Sequence, residues 1–270
     1  MINNSLTELE VFFKHFVHYC QYGNKHGWHE NGTGGMSMLM PDELILKLQS
    51  KLDMEAEYKP LDVKVPALGR EFLIATSEGE IWDEIEDRFD EFSGIVQIGP
   101  GGDSYRQVYG FNKGMSVTTD FPIHLQIHEN TVKETKNKRS IVYHCHPTNL
   151  TALTYMLPLE DEAFTQALIK ASIHCALQME KGVGVLDEFL LTMEQLGEAT
   201  VKKMKNHNLV VWPYHGVICT GDSFPHLMGS VEVAEKAADI RVKLMQMPGG
   251  IRQEPTMEEI DKLRRITAPK

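Results

Sequence analysis

The chain is 270 residues long, 42% hydrophobic and 24% charged, ordinary globular composition with ample length for a sizeable core. A net charge of −11 argues against nucleic acid or an anionic membrane as partner, because binding phosphates needs clustered Lys and Arg. The four cysteines, Cys20, Cys145, Cys175 and Cys219, are scattered without a C-x-x-C pair, and no apolar run approaches membrane-spanning length.

Residues 1–5 carry neither a basic nor an apolar signal region, so a cytoplasmic protein is expected. No linker, repeat or low-complexity tract interrupts 1–270, which is expected to form one domain. Ser5 with Glu8 looks like a capping box opening a helix, and Leu9, Phe12, Phe13, Phe16, Val17 and Cys20 carry helical spacing to about Asn24. Residues 31–35 form a Gly-rich loop, which either cradles an anion or simply turns, and a strand over 36–39 follows. A strand over 71–76 enters a turn at 77–79. Strands over 94–98 and 104–110 flank the turn 99–103, a hairpin signal. A helix follows 118–122, with Thr or Asp120 available as its cap and Pro122 suited to its first turn. His124 and His128 then stand four apart on it, a spacing seen in metal pairs but more often in packed or solvated histidines.

The run Ile141–Val142–Tyr143 leads a strand over 140–146. Side chains alternate along a strand, so His144 and His146 share one face and Cys145 takes the other. A helix spans 160–178, with Phe164, Ala167, Leu168, Ala171 and Cys175 on one side. Thr192 with Gln195 is a second capping box, leading a helix to about His207. Its lysines at 202, 203 and 205 read as a solvated face. A strand over 209–219 carries His215 beside an apolar run, where a histidine needs a partner or a ligand. A long helix over 224–245 and a short one capped by Thr256 close the chain. Helices before, between and after the strands give a three-layer α/β/α sandwich around a mixed, largely antiparallel central sheet. Two imidazoles from one strand and a third from another make a pocket suited to Zn²⁺ with a position left open; an H-x-H pair alone is also common on half-exposed strands.

The segment His144-Cys145-His146-Pro147-Thr148-Asn149-Leu150, with Ala152-Leu153-Thr154-Tyr155, resembles the zinc segment of the class II aldolase/adducin family. Gly27-Trp28 with Glu30, Gly182-Val183-Gly184, Glu198-Ala199-Thr200, Trp212-Pro213 with His215-Gly216, and Ala234-Glu235-Lys236 extend the likeness, which is poor between about Pro41 and Pro66. The resemblance implies zinc on His144, His146 and His215. It implies retro-aldol cleavage of a ketose 1-phosphate, with L-rhamnulose 1-phosphate giving dihydroxyacetone phosphate and L-lactaldehyde, in a homotetramer whose sites lie near subunit boundaries. Where relatives carry a glutamate near zinc this chain has Asp120, an acid/base, a metal ligand or a helix cap. A second family carboxylate appears as His174, able to move protons or simply polar on its helix. The family's phosphate-binding positions fall on Asn31 or Thr33, Gly35, Ser77, Thr118 and Thr119. Two family asparagines become Gly32 and Gly35, and Glu78 replaces a small residue after Ser77. These changes leave open a related epimerase or decarboxylase/aldolase acting on another sugar or sugar acid. A non-catalytic module like the adducin head is a further alternative, although that head lacks the metal histidines.

Overall fold

The computed structural model describes residues 8–79, 82–135 and 140–267. Ser5 and its capping box lie outside them. The first helix, α1 (Glu8–Lys25), leads through a 3-10 turn to β1 (Gly35–Leu39). Then come α2 (Asp42–Leu48), β2 (Lys59–Pro60), β3 (Phe72–Thr76), α3 (Phe89–Phe92), and the hairpin of β4 (Ser93–Ile98) and β5 (Ser104–Gly110). Next are α4 (Phe121–Thr135), β6 (Ile141–Cys145), α5 (Thr148–Leu153), α6 (Asp161–Ala171), α7 (Ile173–Gln178) and β7 (Gly184–Val185). The chain continues through α8 (Met193–Met204), β8 (Leu209–Trp212), β9 (Gly216–Gly221), α9 (Phe224–Gln246) and α10 (Met257–Thr267).

Among the described residues nine strands form one sheet in the order β2-β5-β4-β3-β1-β6-β9-β8-β7. Only β7 and β8 pair in parallel, so the sheet is mixed and largely antiparallel, as expected. Strand alternation divides its side chains between two layers. On β6, Ile141, Tyr143 and Cys145 join a core with Phe16 and Cys20 of α1, Leu150 of α5, Phe164 of α6 and Val231 of α9. Val142 turns the other way, toward Ile123 and Ile127 of α4 and Met204 of α8. Phe121 and Leu125 of α4 cover Leu73, Ala75 and Val96 on the same side. The three layers follow from these two opposed apolar faces.

Two expected elements are divided. The helix over 160–178 breaks at Ser172, whose backbone is extended (φ −144°, ψ 118°) and whose Oγ accepts from the Cys175 N–H to start α7. A serine that bonds its own backbone competes with the helix, which the continuous apolar spacing concealed. The strand over 209–219 is a hairpin. Trp212 pairs with Gly216, and Tyr214, at φ 62°, turns the chain between them. His215 therefore rides on a turn rather than on a strand.

Candidate metal centre

The centre gathers at the ends of β6 and of the β8–β9 hairpin. His144 points to the α4 side of the sheet, and His146 lies two residues on, beyond the strand, with its ring centroid 4.9 Å from that of His144. The turn brings the His215 ring to 5.0 Å from His144 and 4.9 Å from His146. One ring nitrogen of each lies within 4.8 Å of the others. His144 is buried, His146 half-buried and His215 exposed, so the cluster opens on one side.

Each strand-end ring is aimed by a carboxylate. His144 Nδ1 donates to Asp120 Oδ2 at 2.6 Å, and His146 Nδ1 donates to Glu30 Oε1 at 2.8 Å. A carboxylate can only accept, so both Nδ1 atoms carry a proton, and each ring, when neutral, presents its lone pair at Nε2. Those two Nε2 atoms are buried and have no hydrogen-bond partner. Buried imidazole nitrogens without a partner are costly unless something binds them, and neutral imidazoles backed by carboxylates are a preferred donor set for a divalent metal. Burial, then the neighbouring rings, lowers the His215 pKa to about 4 and moves His146 the same way, which keeps both neutral and able to ligate. Burial alone would raise the Asp120 carboxyl, but the hydrogen bond from His144 and the surrounding imidazoles hold it at about 2.

Of the expected phosphate residues, Thr33 reaches the centre: its Oγ lies 3.2 Å from His146 Nδ1. Gly35 pairs with His144 across β1 and β6, and a Cβ there would stand 3.1 Å from Thr118 Oγ1. Ser77 bridges to Val117, beside Thr118, and its buried Oγ has no partner. Gly35, Ser77 and Thr118 thus neighbour one another. Asn31 is exposed at φ 55°, Thr119 is exposed, and so is Glu78. His174 is exposed in the first turn of α7 and is not among the residues clustered at the triad. His124 and His128 are packed histidines: Ser37 Oγ lies 2.8 Å from His124 Nδ1 and 2.8 Å from His128 Nε2 in the core. The sequence reading gave no role to Glu30, His29, Tyr143 or Ser37. His29 Nε2 meets Tyr143 Oη at 2.6 Å across 114 positions, a separation that leaves no local signal.

The family described as Class II Aldolase and Adducin N-terminal domain matches residues 14–242. A rhamnulose-1-phosphate aldolase of Escherichia fergusonii is 31% identical over 234 residues, covering 87% of this chain and 85% of that protein. Among solved structures, a sugar-phosphate aldolase from Thermotoga maritima superposes with a TM-score of 0.74 at 21% identity, covering 90% of this chain and 100% of that one. An L-fuculose 1-phosphate aldolase from Glaciozyma antarctica gives 0.60 at 11% identity, covering 97% of this chain and 85% of that one. The two structural likenesses are likenesses of fold.

Proposed function

Because the chain belongs to the class II aldolase and adducin family and is an aldolase, we propose that it cleaves a ketose 1-phosphate, L-rhamnulose 1-phosphate, to dihydroxyacetone phosphate and L-lactaldehyde with Zn²⁺ on His144, His146 and His215. The observation that carries the metal reading is the pair of buried, unpartnered Nε2 atoms facing a third imidazole. Held by these three histidines, a divalent ion would supply positive charge to stabilise the negative charge that gathers as the C3–C4 bond breaks.

The chain's own groups do the rest. Asp120 holds the His144 ring, and as the carboxylate standing where the family carries a glutamate it is assigned the base that takes a proton from the substrate and returns one to C3 of the three-carbon fragment. Ser77 Oγ, Thr118 and Thr119, with the turn carrying Asn31, Thr33 and Gly35, offer hydroxyl and backbone groups to the phosphate. His174, exposed in the first turn of α7, takes the second proton-transfer role that the family resemblance gives its position. Among the described residues no helix is long and apolar enough to cross a membrane.

The exposed Glu78, next to Ser77, favours one second reading: the same metal chemistry on another sugar or sugar acid, as an epimerase or decarboxylase/aldolase. Metal analysis and a cleavage assay separate the two. About one Zn²⁺ per chain and release of dihydroxyacetone phosphate from L-rhamnulose 1-phosphate are expected. Bound zinc with no cleavage of any ketose 1-phosphate supports the second reading, and a protein that binds no divalent metal overturns both.

A further inference from the structure

The segment 28–35 wraps the end of β6. The Trp28 carbonyl accepts from the His146 N–H at 2.9 Å, and Gly35 pairs with His144. Between these two anchors the backbone turns through Asn31, Gly32 and Gly34, at φ 55°, 70° and 79°. Gly32 and Gly34 enter the left-handed region freely and Asn31 tolerates it, so local sequence permits this turn without fixing it in one conformation. This turn carries both groups that meet His146 Nδ1, the Glu30 carboxylate and Thr33 Oγ. The Glu30 side chain is 65% exposed, so solvent contact does little to fix it.

One side chain holds the middle of the turn. His29 is 4% exposed and stacks on Trp82, with ring centroids 3.8 Å apart and planes 26° apart. Its Nδ1 donates to the Thr33 carbonyl at 2.7 Å, since a carbonyl only accepts. Burial holds the ring neutral, with its pKa lowered to about 3, so Nε2 accepts the Tyr143 O–H at 2.6 Å. Glycines make the room: a Cβ on Gly34 would stand 2.8 Å from His29 Nδ1, and one on Gly23 would stand 2.8 Å from His29 Nε2. Tyr143 immediately precedes the ligand His144, on the opposite face of β6.

We propose that His29, bonded to Tyr143 and Thr33 and stacked on Trp82, is a positioning residue that holds the Glu30–Thr33 turn against His146 and so sets the affinity of the metal site. The inference rests on the metal reading above. Partners that orient a ligating histidine typically change metal affinity 10–100-fold when removed.

The test measures Zn²⁺ affinity of the apoprotein by competition with a chromogenic chelator, together with its thermal midpoint. His29→Ala and Tyr143→Phe are expected to weaken Zn²⁺ about 10–100-fold. His29→Asn, whose amide can still donate to the Thr33 carbonyl, recovers part of that loss. Ile260→Ala, a buried change on α10, which carries none of the residues bonded to the three histidines, should lower the thermal midpoint and leave Zn²⁺ affinity unchanged. Wild-type affinity in both His29→Ala and Tyr143→Phe overturns the proposal, as does an equal loss in Ile260→Ala. If wild type and His144→Ala alike bind no Zn²⁺, the metal reading itself falls and this inference with it.

Discussion

Asp120 Oδ2 sits 2.6 Å from His144 Nδ1, so this carboxylate aims the His144 ring and is held ionised, and the proposed reaction gives it the proton transfer. Asp120→Asn removes the charge and keeps the shape. We expect kcat to fall about a hundred- to ten-thousand-fold in the cleavage assay, and Zn²⁺ affinity to weaken as well. Retained kcat would remove Asp120 from the chemistry. The buried histidines give a pH dependence of definite sign. Burial lowers the His124 pKa to about 3 and pushes His128 well down, against an ordinary value near 6.5. Between pH 6.5 and about 3 the unfolded chain takes up protons that the folded chain refuses. Stability therefore falls as pH drops through that window, and their contribution is flat above it. Urea midpoints of the apoprotein from pH 8 to pH 5 test this; a midpoint unchanged below pH 6.5 would contradict it. The Ser37 hydroxyl between the two rings was invisible in sequence, because β1 and α4 lie 87 and 91 positions apart at the contacting residues.

At the scale of elements, the β8–β9 hairpin decides where the third histidine of the cluster stands. Tyr214 adopts φ 62°, its N–H donates to Thr154 Oγ at 3.1 Å, and α5 thereby braces the turn. Gly216 lets the returning strand pass against β6, where a Cβ would collide with the Cys145 carbonyl and stand 2.7 Å from His146 Cδ2. Gly216→Ala is expected to lower both the thermal midpoint and Zn²⁺ affinity; a loss of stability alone would show that the hairpin carries fold and not site. The capping box on α8 is complete, with Gln195 N–H donating to Thr192 Oγ and the Thr192 N–H to Gln195 Oε1. Thr192→Ala should cost about 1 kcal/mol, read from chemical denaturation. This box was legible because its four residues are contiguous. The break at Ser172 was not, since an extended backbone at one residue leaves the flanking helical periodicity unchanged.

For the whole molecule, an exposed apolar patch lies beside the open side of the centre. Tyr155, Phe189 and Leu190 are 72, 59 and 83% exposed, and the rings of Tyr155 and Phe189 pack on Tyr214, next to His215. Exposed apolar groups gathered at one place mark contact surfaces. We expect a tetramer by sedimentation, dissociated by Leu190→Glu; a monomeric wild type would remove the assembly. Local pattern was enough to mark the His144 and His146 pair, the two-residue period that sends both to one face, most of the helices and strands, and the layered class. Those signals act within a few residues, and the chain carries them wherever it folds. Tertiary structure alone decided that His215 arrives on a turn, that Asp120 and Glu30 aim the other two rings, and that His29 finds Tyr143. Such pairings join groups 24 to 116 positions apart, and only a completed sheet with its covering helices brings them within hydrogen-bonding distance.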